Sequence, residues 1–172
     1  MKKIYTDKII FFRKIERDFN CKVIIIPHPK YKSSVPKIKS YNPYFKDFIV
    51  NNHPDAISSL ASKSEFILSK GSTASAYAAI FKKPIVFFYS SDRVYERKEL
   101  ENIKEHASDL GLLSYDIVNY SKKNFKKYLK FNPLKYHRYI KKNLCTSKKF
   151  REIKNSDLII SFLENELCQK YS

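Results

Sequence analysis

Two short stretches hold the residues best suited to gripping a ligand. The first is Pro27-His28-Pro29-Lys30. An imidazole there can donate to a phosphate or meet a base edge, and the prolines fix its loop. The second is Ser69-Lys70-Gly71-Ser72-Thr73-Ala74-Ser75, which contains one of the chain's two glycines. Glycine suits positive φ or a close backbone approach. Ser72 and Thr73 then read as N-caps of a following helix, where N–H groups and the helix dipole favour an anion, often a phosphate. The candidate phosphate and nucleotide contacts are therefore His28, Pro29, Lys30, Gly71, Ser72, Thr73 and Ser75. Each motif alone also has a plainer reading, a surface turn with an incidental histidine and an ordinary helix cap. Neither a P-loop nor a GxGxxG fingerprint is present.

Both stretches need strands to place them. Phe66 to Leu68 reads as a buried strand, Ala74 to Phe81 as a helix stopped by Lys82-Lys83-Pro84, and Ile85 to Tyr89 as a second buried strand. Strand, turn, helix and strand make a parallel crossover. Upstream, Asp7 to Phe19 has the apolar spacing of an amphipathic helix, and Cys21 to Ile26 ends in a β-branched run that predicts a central strand. Residues 30–44 read as a loop, Phe45 to Asn51 as a short strand and Asp55 to Ser62 as a short helix. A charged helix follows from about Val94 to Leu110, with Gly111 as its C′ residue. Tyr115 to Asn119 predicts a last strand, and Ser121 to Lys130 a basic helix broken by Pro133. Leu134 to Leu144 and Ser156 to Lys170 predict further helices. The pattern predicts an α/β doubly wound parallel sheet, in which loops at the carboxyl ends of strands open on one edge. The expected division is a Rossmann-like α/β domain over 1–120, with a basic helical extension over 121–172 packed on it.

The 172 residues suffice for one core-forming domain, and there is no run of about 18 uncharged apolar residues. The N-terminal stretch lacks the apolar core of a signal peptide. Cys21, Cys145 and Cys168 show no metal or disulfide spacing, which fits a reducing cytoplasm. The net charge of +17 comes from 28 lysines and only 6 arginines against 17 acids. Residues 121–154 alone carry 13 Lys/Arg and a single acid, Glu152. That segment suits an anionic membrane surface or anionic glycan, or is simply a solvated basic face. No nucleic-acid motif accompanies the charge.

The pair strand–HP and strand–GST–helix–KPIVFF resembles the C-terminal, donor-binding half of GT-B-fold glycosyltransferases. It is most similar to bacterial sialyltransferases, capsule polysaccharide transferases and polyglycerolphosphate transferases. The resemblance spans about residues 8–90. It implies that His28 and Pro29 match the HP motif, that Ser72 and Thr73 match the Ser-Ser/Thr motif, and that Lys83-Pro84 matches the KP ahead of the next core strand. It also implies a CMP- or CDP-linked sugar as donor substrate. The sequence shows no acidic pair with which a metal could be held, so no metal cofactor is expected. UDP-sugar 2-epimerases share the layout and keep a UDP-linked donor open. The acceptor half, which usually brings the catalytic carboxylate in those families, has no counterpart here. Asp92 and Glu96 read more simply as a solvated helix start. A separate acceptor-binding half is therefore an expected partner, and the catalytic residue stays unassigned. The expected location is cytoplasmic, peripheral at the inner face of the membrane. The alternatives are a basic nucleic-acid-binding module and a non-catalytic pairing subunit.

Overall fold

A computed structural model describes residues 2–27, 47–51, 53, 55–72, 74–92 and 97–144. His28, Pro29, Lys30, Thr73, Glu96, the 30–44 loop and the 156–170 helix of the sequence reading lie outside these residues. The described chain is mixed α/β. In order it forms α1 (Lys2–Phe19), β1 (Ile24–Ile25), β2 (Ile49–Val50), α2 (Ala56–Lys63), β3 (Ile67–Ser69) and α3 (Ala74–Ile80). It continues with β4 (Ile85–Tyr89), α4 (Arg97–Asp109), β5 (Tyr115–Asp116), α5 (Lys122–Lys126) and α6 (Pro133–Asn143).

All described strand pairs are parallel. β1 pairs with β2, and β4 lies between β3 and β5. The sheets are small, and the arrangement is compatible with a Rossmann-like fold. β4 explains the layering. Its sequence, IVFFY, is apolar throughout, as a strand covered on both faces must be. Val86 and Phe88 join one core with Ile9, Phe11, Phe12 and Ile15 of α1 and Phe125 of α5. Ile85 and Phe87 point the other way, into a core with Ala78 and Ala79 of α3, Ile103 and Ala107 of α4, and Tyr136 and Tyr139 of α6. Alternation along one strand thus serves two helical layers.

Several boundaries differ from the sequence reading for local reasons. α1 extends back to Lys2, well ahead of the predicted start at Asp7. The strand predicted over Cys21–Ile26 pairs only at Ile24 and Ile25, because Cys21 and Val23 are still tied to Glu16 of α1. The basic helix predicted over Ser121–Lys130 is only five residues long, capped by the Ser121 side chain accepting from the Asn124 N–H. Pro133 does not end that helix. It opens α6, with Asn132 as cap, where a missing N–H costs nothing. Gly111 does close α4, at φ +64. Leu112 N donates to Ala107 O, and Gly111 N to Ser108 O, which is the Schellman arrangement.

Candidate functional site

The turn after β3 sits at the carboxyl end of the three-stranded sheet. Gly71 holds φ +86, so the expectation of a left-handed glycine is met. Three hydroxyls build the turn around it. Ser69 Oγ accepts from Gly71 N at 3.2 Å, and Ser72 Oγ accepts from Ala74 N, also at 3.2 Å. The two oxygens lie 3.4 Å apart. Ser75 is fully buried in the first turn of α3, and its hydroxyl donates to Ser72 O at 2.8 Å. Ser75 thus supports the turn from beneath, while Gly71 and Ser72 are half-buried at its surface.

Helices distant in sequence brace the same turn. Lys70 Nζ donates to Glu99 Oε1 of α4 at 2.6 Å. A methyl group on Gly71 would lie 2.8 Å from Cδ2 of His106, also on α4. The His106 ring in turn lies parallel to Phe87 of β4, with centroids 6.3 Å apart. Tyr139 of α6 shares a hydrogen bond with Ser75. Burial pushes the Tyr139 hydroxyl above its ordinary pKa, and that bond partly offsets the shift. Nothing in the local sequence marked Glu99, His106 or Tyr139 as neighbours of the turn. The sole hint was a glycine in a chain with only two, since close approach is one of glycine's uses.

The direction of α1 bears on the other motif. Ser90, just past β4, donates to Asp7 near the start of α1, and Phe19 at its end packs against Phe66 just ahead of β3. α1 therefore runs against β3 and β4. The chain turns back at Asn20, at φ 49, and β1 sets out from the end where β3 begins. Pro27 is the last described residue of that segment, and His28 to Lys30 follow it outside the described residues.

Other chemistry-bearing residues do not join this group. Asp92 is exposed beyond β4, His53 is exposed beside Asp55, and His137 is on the outer side of α6. Among the described residues no three His, Cys, Asp or Glu side chains cluster to hold a metal. Compared with known proteins, the chain matches no family model, no curated protein and no solved structure.

Proposed function

We propose that the chain is the donor-binding half of a GT-B-type glycosyltransferase, holding a nucleotide-activated sugar for surface-glycan synthesis. A CMP- or CDP-linked donor is favoured over a UDP-linked one. The observation that carries this reading is the β3–turn–α3–β4 unit. It is a parallel crossover whose half-buried Gly71–Ser72 turn lies at the carboxyl edge and is braced from behind by His106 and Ser75. Ligands of open parallel sheets bind at that edge. The resemblance of the HP and Ser-Thr motifs supplies the class of donor.

In this mechanism Ser72 and Thr73 offer hydroxyl and backbone donors to the donor's phosphate. His28 contacts the phosphate or base, Lys30 contacts the phosphate, and Pro29 fixes their loop. Charge builds on the nucleotide as the glycosidic bond to it breaks, and fixed donors stabilise that charge without having to reorganise. A second, acceptor-binding half completes the cleft, either on a partner chain or elsewhere in the same polypeptide.

Titration calorimetry of the intact chain with CMP, CDP and UDP tests the proposal. A cytidine nucleotide is expected to bind, and Ser72→Ala and His28→Ala each to weaken it about tenfold, the worth of one charge-assisted hydrogen bond. Absence of heat at millimolar nucleotide, with His28→Ala indistinguishable from the parent chain, rejects it.

A further inference from the structure

The corner where α4 ends and α6 begins exposes two large aliphatic side chains. Leu113 is 76% exposed and Leu134 is 78% exposed, the highest values among the described large hydrophobic residues. Single exposed leucines are common and signify little. These two are brought to one corner. Lys135, next to Leu134, reaches across to donate from Nζ to Gly111 O at 3.0 Å, two residues before Leu113. The Lys135 stem lies so close over Gly111 that a methyl group there would overlap it.

The surroundings are cationic. From Ile117 to Leu144 the sequence has no acid. Lys135, Arg138, Lys141 and Lys142 are on α6 with Leu134, Lys127 and Lys130 lie in the connection before it, and Lys122, Lys123 and Lys126 are on α5, in the layer on the other face of the sheet. All nine are exposed. On α6, Tyr136 and Tyr139 face the core, so Leu134, Arg138 and Lys141, at helical spacing, share the outer face. Beside Leu113 lies an open cavity of about 360 Å³, lined by Lys104, Ser108, Ser114 and Tyr128 among others. Acids flank the corner in sequence, Asp116 in β5 after Leu113 and others on α4 before it. Asp109 is held by Lys142 at 3.4 Å, and Glu101 and Glu105 lie one to two turns further back.

We infer that this corner is a docking surface for an anionic lipid bilayer, with Leu113 and Leu134 entering the headgroup layer and the surrounding lysines meeting lipid phosphate. Lysine clusters gain from the negative surface potential, and buried aliphatic area adds binding that does not depend on charge. The aromatic side chains argue against a nucleic acid as the occupant. A single-strand binder presents aromatic faces for bases to stack on. Here Phe125, Tyr136 and Tyr139 of the basic helices are buried, Tyr128 is half-buried in the cavity wall, and the most exposed apolar side chains of the corner are leucines. The inference stands apart from the donor-binding proposal. The corner precedes β5, at the amino end of the sheet, whereas the Gly71 turn follows β3 at the carboxyl end.

Vesicle co-sedimentation of the full chain tests it. Vesicles with roughly one third phosphatidylglycerol are expected to bind the chain, and pure phosphatidylcholine vesicles to leave it in solution. Leu113→Ser with Leu134→Ser keeps the net charge and is expected to weaken binding at least about tenfold, since burial of even one leucine is worth that much. Circular dichroism checks that this double variant stays folded, as exposed positions allow. Three results overturn the inference. The first is no sedimentation with the anionic vesicles at low salt. The second is binding that the leucine substitutions leave unchanged, which means a purely electrostatic surface. The third is single-stranded DNA displacing the chain from the vesicles at equal phosphate concentration.

Discussion

At Gly71 two separate demands meet. The backbone takes φ +86, and the space where a side chain would start belongs to His106. Gly71→Ala is therefore expected to destabilise the chain by about 2 kcal/mol or more, from backbone strain plus displacement of the imidazole. In a double-mutant cycle His106→Ala should recover the steric part and leave the backbone part, so the two changes should cost less together than their sum. Urea unfolding of the four proteins measures this, and strict additivity would dismiss the contact. The sequence already pointed to a glycine in a left-handed turn with serine caps. It could not point to His106, because which helix packs behind a turn is decided by tertiary arrangement. The same limit hid Ser75, which reads as a ligand contact by its place in the motif. Its position in the first turn of α3 turns it inward, under Ser72 and next to Tyr139.

Among the elements, α1 is the one on which the first core depends. Phe11 is buried and lies 5.6–6.3 Å, centroid to centroid, from Phe12, Phe88, Tyr115, Tyr120 and Phe125. Those rings come from α1, β4, β5, the loop after it and α5. Phe11→Ala is expected to cost about 3–5 kcal/mol, because five ring contacts vanish and the cavity opens between several elements. Chemical denaturation would record it, and a loss below about 1 kcal/mol would show that this core collapses around the gap. Helix periodicity found α1 and the apolar run found β4, since both signals are carried by consecutive side chains. The sequence pattern makes short strands such as β1 and β5 longer than the structure does. Their ends are set by where a neighbouring backbone stops pairing, as at Glu16, which holds Cys21 and Val23 back. Pro133 misled for a related reason. A proline ends one helix or opens another, and the capping side chain of Asn132 decides which.

At the scale of the whole molecule, buried tyrosines govern the response to alkali. Burial pushes the Tyr136 hydroxyl up from 10.0 to about 12, and it donates to Lys83 O at 3.2 Å. Burial also raises Tyr115, Tyr120 and Tyr139. The unfolded chain releases phenolic protons near pH 10, while the folded chain holds the Tyr136 proton until about 12. Between those values the unfolded state binds fewer protons, so stability falls as pH rises. The contribution is complete below pH 10 and is lost towards 12. Tyr136→Phe is expected to cost about 1 kcal/mol at neutral pH, through the missing hydrogen bond, and to flatten the decline above pH 10. Unfolding curves at stepped pH would show it, and an unchanged alkaline slope would mean that Tyr136 ionises freely in the folded state.

β4 has a further consequence. It is covered by helices on both faces, and it pairs with β3 from Ile85 to Phe87 and with β5 at Phe88 and Tyr89, so its middle has the least access to solvent. In heavy water the amides of Val86 to Phe88 should be the last to take up deuterium, at a rate set by complete opening of the chain. A labelling experiment on these three positions would therefore report the total conformational stability directly, in the absence of denaturant.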